Sequence, residues 1–177
     1  MKCLHGVWRI GLAVFALSLL VAWSMGSNNG NNPTVQAQGN LETKLTLTMG
    51  EFFFQAEGAA KNAPIKLQTA VPYRMKFKNV GKIVHRIKIG RGLQVEEGVP
   101  HDYAEHLFDG VEVRIEGKLA SGNFKVDTQR LTQLELEAGA ELDVIFTLPI
   151  SKKGEWELGC FVVNHYEAGM SNKLIVE

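Results

Sequence analysis

Near the C-terminal end, Gly159-Cys160-Phe161-Val162-Val163-Asn164-His165-Tyr166-Glu167-Ala168-Gly169-Met170 places a thiol, an imidazole and a thioether at five-residue intervals. These are soft and borderline donors, the kind that select soft and borderline metal ions. A straight strand would string them out, whereas a strand end followed by a loop lets them converge on one ion from three directions. A second imidazole has to come from elsewhere in the chain. His85 stands in an alternating segment whose same-parity neighbours, Ile87 and Ile89, are apolar, so its side chain shares their face. Singly, each residue has a plainer use: a free cysteine packs as a small hydrophobe, a strand histidine is satisfied in place, and a methionine fills the core.

Two imidazoles, one thiolate and a more distant methionine sulfur form the ligand set of an electron-transfer copper site. On these residues the sequence resembles the cupredoxin, or blue copper, family of plastocyanin- and azurin-like proteins, over Leu41 to Glu177. The resemblance has three supports: the Asn79-Val-Gly-Lys-Ile-Val-His85 approach, the Gly-Glu-Trp-Glu-Leu-Gly-Cys160 strand, and the Cys-x4-His-x4-Met loop. The loop is the specific one. The resemblance implies that His85, Cys160 and His165 hold one copper ion, cycling between Cu(I) and Cu(II), with Met170 as a weak axial ligand. It also implies a Greek-key β-sandwich, an exported or surface location, and one-electron exchange with redox protein partners. One position departs from the pattern: many members carry Asn or Ser directly after the first histidine as a brace for the ligand loops, and here it is Arg86.

Two other functions use the same residues. A copper-delivery protein would bind the metal without cycling it. A Cys-His nucleophilic enzyme would pair Cys160 with His165, although no oxyanion-forming glycine motif or orienting acid is recognisable. Dinuclear copper sites of the oxidase type need two cysteines in one loop, and this loop has one. The reading is therefore a redox carrier and not an enzyme.

The elements that must position these donors announce themselves by alternation. Apolar residues recur at every second position in Leu45-Leu47-Met49, Tyr73-Met75-Phe77, His85-Ile87-Ile89, Val111-Val113-Ile115, Leu134-Leu136, Leu142-Val144-Phe146-Leu148, Trp156-Leu158-Cys160 and Leu174-Val176. That period means strands buried on one face. Turn signals at Asn79-Val-Gly, Ala138-Gly and Lys153-Gly separate them, and so many short strands without a helical period predict an all-β, antiparallel sandwich. Pro100 to Phe108 breaks the rhythm and predicts two turns of helix, a short insertion between strands, with Pro100 near its start and Gly110 past its end. His101 and His106 would then stand about 140° apart around the helix axis, which predicts surface residues; His106 is a reserve ligand should His85 fail.

The 177 residues carry 19 Lys plus Arg and 19 Asp plus Glu, so no global positive excess attracts nucleic acid. Residues 1–37 hold Lys2 and Arg9 and no acid, leaving 17 bases against 19 acids beyond. Ile10 to Trp23 is an uncharged apolar run of 14 residues, short of the roughly 20 that span a bilayer. With the small-x-small pattern Val35-Gln36-Ala37, it predicts an export signal cut after Ala37. If it is retained, residues 10–25 become a membrane anchor, and in both cases the rest is extracytoplasmic, the periplasm being the setting expected. Residues 38–40 complete a Gly- and Asn-rich linker, and 41–177 form the cupredoxin-like domain, expected as a monomer. Of two cysteines, Cys3 lies in the signal, so Cys160 is an unpaired thiol in an oxidising compartment and needs a reason to persist.

Overall fold

Apolar side chains at every second position can bury one face of an extended chain against a like face from another sheet, and most of this chain is built that way. The computed structural model describes residues 42–177. The export-signal, anchor and linker expectations for residues 1–40 lie outside them. Twelve strands follow in order: β1 (Thr43–Gly50), β2 (Phe53–Ala56), β3 (Ile65–Leu67), β4 (Pro72–Asn79), β5 (His85–Glu96), β6 (Val99–His106), β7 (Val113–Leu119), β8 (Gly122–Thr128), β9 (Leu134–Leu136), β10 (Glu141–Thr147), β11 (Gly154–Cys160) and β12 (Ser171–Val176).

They form two sheets, ordered β2-β1-β4-β10-β7-β8 and β3-β12-β11-β5-β6, with β9 added beside β5. Leu47, Met49, Met75, Phe77, Val144 and Phe146 from the first sheet join Ile87, Ile89, Trp156, Leu158, Leu174 and Val176 from the second in one buried core. Most pairings are antiparallel. β1 with β4 and β3 with β12 are parallel, so the sandwich is mixed rather than purely antiparallel as the pattern predicts. Among the described residues no helix is long and apolar enough to cross a membrane.

The helix predicted over Pro100 to Phe108 is absent. Residues Val99–His106 are β6, paired antiparallel with a β5 that runs on past Ile89 to Glu96. The physical reason is a hairpin turn. Glu97 and Gly98 both have positive φ, 51° and 83°, as a two-residue turn of the primed type requires. Pro100 is tolerated because β6 is an edge strand and gives up no ladder bond on its outer side. His101 is exposed as expected, but His106 is buried, with its Nε2 3.3 Å from Asp102 Oδ1.

Candidate metal centre

Strand pairing brings the donors to one end of the second sheet. β5 begins with His85 and β11 ends with Cys160, and the two strands are antiparallel neighbours with Ile87 opposite Cys160. The loop from Phe161 to Met170 then folds back to start β12. It is closed by turns: the N–H of His165 donates to Val162 O, that of Ala168 to Asn164 O, and that of Met170 to His165 O. At its mouth the Cys160 N–H donates to Met170 O at 3.0 Å, and the Phe161 N–H reaches across to Arg86 O at 2.7 Å. Both ends of the loop are thus fastened to the strands that carry the other donors.

One donor atom each from His85, Cys160 and His165 lies within 4.8 Å of the others, and all three residues are buried. Cys160 Sγ is 3.7 Å from His85 Nδ1 and 3.3 Å from His165 Nδ1, so both rings turn the same nitrogen inward. The ring centroids are 5.2 Å apart and tilted by 56°. Met170 is fully buried and is fixed beside Cys160 through its carbonyl. All four residues singled out in the sequence therefore meet here through side chain or backbone. His101 and His106 lie on β6 and take no part; among the described residues, the three-donor cluster is the one set of His, Cys and acidic side chains so gathered.

Burial sets the charge states. It lowers the pKa of both imidazoles below the ordinary 6.5, in His85 with help from His165, while the Glu51 carboxylate opposes the effect in both rings. It raises that of the Cys160 thiol, against which the backbone N–H groups of Val162 and Arg86 favour the thiolate. Neutral imidazoles offer lone pairs without proton competition, and a metal cation bound here would displace the thiol's proton to solvent. The donor set, its burial and its shared focus fit a borderline or soft ion such as copper.

Three supports were not legible as such. Asn79 is fully buried; its Nδ2 donates to Ile83 O at 2.8 Å and Leu136 O at 3.0 Å, and its Oδ1 accepts from Gly81 N at 2.8 Å. It braces the loop before His85, and its place in the Asn79-Val-Gly turn is the one signal in the sequence. Arg86 points outward and pairs with Glu135 at 2.9 Å, while its backbone serves the site. Phe52, in the turn between β1 and β2, sets its ring edge against His165 with centroids 5.4 Å apart, and nothing in the sequence announces that.

No family model matches the chain, and neither does any curated protein. Solved structures do. The multicopper oxidase from Campylobacter jejuni, a metallo-oxidase, is 14% identical, with a TM-score of 0.50 over 76% of this chain and 30% of that one. Dithionite-reduced auracyanin from Roseiflexus castenholzii is 18% identical over 77% of this chain and 98% of its own, with a TM-score of 0.43. A rusticyanin is 13% identical over 77% of each chain, also with a TM-score of 0.43. This chain spans less than a third of the oxidase, and at that identity the likeness is one of fold.

Proposed function

We propose that this chain, whose fold is cupredoxin-like, is an exported mononuclear copper protein that carries single electrons between redox protein partners. The observation that carries the reading is the convergence of the His85 and His165 Nδ1 atoms on the Cys160 sulfur in one buried site. His85, Cys160 and His165 would hold the ion, with Met170 as a weaker fourth donor; bound copper supplies one-electron exchange between Cu(I) and Cu(II). The chain supplies rigidity and exclusion of water. Asn79 holds the His85 loop, the turns of 161–170 hold His165, and the backbone N–H groups of Arg86 and Val162 steady the thiolate. A scaffold held in this way changes little between oxidation states, which keeps exchange fast.

Four exposed apolar side chains, Phe52, Val80, Ile83 and Val163, sit on the three segments that enclose the site. They form the surface against which a redox partner would dock, since apolar contact permits close approach without stripping water from charges. The test is an optical and electrochemical one. The exported domain loaded with Cu(II) should show a strong thiolate-to-copper band toward the red and reversible one-electron reduction. Cys160→Ser should abolish the band, and Met170→Leu should keep it while moving the potential. Copper bound without colour would discard electron transfer in favour of copper delivery.

A further inference from the structure

The turn between β1 and β2 packs against one imidazole of the centre and lies near the other, although neither of its residues is a metal donor. Phe52 has the left-handed φ of 64°, costly for an aromatic residue, and in that conformation its ring meets His165 edge-on. Glu51 precedes it and reaches the other side. Its Oε1 accepts the N–H of Lys82 at 2.5 Å, which ties this turn to the loop leading into His85. Gly81 stands between Glu51 and the ring: a Cβ there would lie 2.7 Å from Glu51 Oε1 and 3.0 Å from His85 Nε2. The carboxylate oxygen and the imidazole nitrogen thus flank one small space that only glycine leaves open.

His85 is fully buried, and its Nε2 has no hydrogen-bond partner. A buried polar atom left so loses its hydration without compensation. Since Nδ1 faces the Cys160 sulfur and must present a lone pair to an ion, the ring proton belongs on Nε2, the side where Glu51 waits. Asn79 Oδ1 is also near, 3.1 Å from the same point, but it already accepts from Gly81 N. Lys82 N and the Glu51 amide hold the Glu51 carboxylate below its usual pKa, so it is an anion.

We propose that Glu51 is a positioning residue of the metal centre: its carboxylate secures the Nε2–H tautomer of His85 and sets one negative charge beside the ligand set. Histidine ligands are commonly oriented in this way by an acceptor on the far nitrogen. The consequence for redox rests on the copper reading above. A negative charge next to the site favours the more positive oxidation state, so it lowers the reduction potential.

The experiment uses the full chain in two states. In the metal-free protein, 15N NMR of the histidine rings should find His85 protonated at Nε2. Glu51→Gln, which keeps an acceptor, should preserve that tautomer, and Glu51→Ala should mix the two. In the Cu(II)-loaded protein, Glu51→Gln should shift the potential upward with the absorption band nearly unmoved, and Glu51→Asp should fall between it and the parent. An Nδ1–H tautomer in the parent, the same tautomer population in Glu51→Ala, or an unshifted potential in Glu51→Gln would overturn the role of Glu51. A parent protein that binds copper without colour would sink the electron-transfer reading alone, because the tautomer measurement still decides on Glu51.

Discussion

Asn79 shows how much of a metal site can rest on one residue that never touches the metal. Its amide bridges two carbonyls from separate segments, Ile83 and Leu136, while accepting from Gly81. In Asn79→Ala all three backbone groups lose their partner, and one of them, Leu136 O, loses it where the bond is fully buried. The expected loss is about 2–3 kcal/mol in urea unfolding, together with faster release of copper, since the loop before His85 loses its tie. Arg86→Ala is the contrast. Its ion pair with Glu135 is about half exposed on both sides, so its removal should cost within about 0.5 kcal/mol and leave the copper spectrum in place. The brace of the loop before His85 comes from the end of β4.

At the scale of elements, β6 matters more than its edge position suggests. It carries Tyr103 onto the outer face of β11, where the phenol donates to Glu157 Oε1 at 3.0 Å and the Tyr166 hydroxyl donates to the same oxygen. Gly159 makes room for this cover. A Cβ there would lie 2.7 Å from Tyr103 Oη and 3.0 Å from Tyr166 Cε2, so Gly159→Ala should push β6 and the ligand loop away from β11. The cost should be about 1–3 kcal/mol, read by thermal unfolding, with a broadened copper band because Cys160 is the next residue. The same cover makes stability depend on pH. Burial first, then the Glu157 charge and Tyr166, raise the Tyr103 pKa well above its ordinary 10.0. The folded chain keeps that proton while the unfolded chain releases it above pH 10, so the contribution is complete below that point and lost as pH rises. Unfolding free energy should therefore fall as pH rises above about 10, by up to ~1.4 kcal/mol per unit for this phenol. Tyr103→Phe should flatten the fall.

For the whole molecule, the near balance of charge bears on the proposed exchange with a redox partner. With 17 bases against 19 acids beyond residue 37, long-range steering would be weak, and under the proposed redox role contact at the metal end would carry the encounter. Val163, 73% exposed, lies on the ligand loop two residues before His165. Val163→Asp should slow electron exchange with the redox partner about tenfold, because an unpaired carboxylate buried in an apolar contact costs at least ~1.4 kcal/mol. Stopped-flow exchange beside an absorption spectrum checks it; an unaltered rate with an intact spectrum would place the docking surface elsewhere.

The sequence by itself determined the candidate donors and the layers. Cys160, His165 and Met170 are spaced on one loop, and period-2 alternation marks both the strands and the buried parity that Ile87, Ile89, Trp156 and Leu158 occupy, because side-chain direction along a strand depends on local position alone. Local pattern failed where a choice depended on a distant partner. Val99–His106 has no strong alternation and becomes a strand only because β5 offers it an edge and Glu97-Gly98 can turn with positive φ. The parallel pairings of β1 with β4 and β3 with β12 join segments 22 or more residues apart, which no local period encodes. The tertiary structure alone decided that His85, on the strand beside β11, comes within 3.7 Å of the Cys160 sulfur, that Asn79 ties Ile83 to Leu136, and that Phe52 packs against His165. Each of these includes a contact between groups far apart in the chain, and such contacts exist only once the sheets have packed.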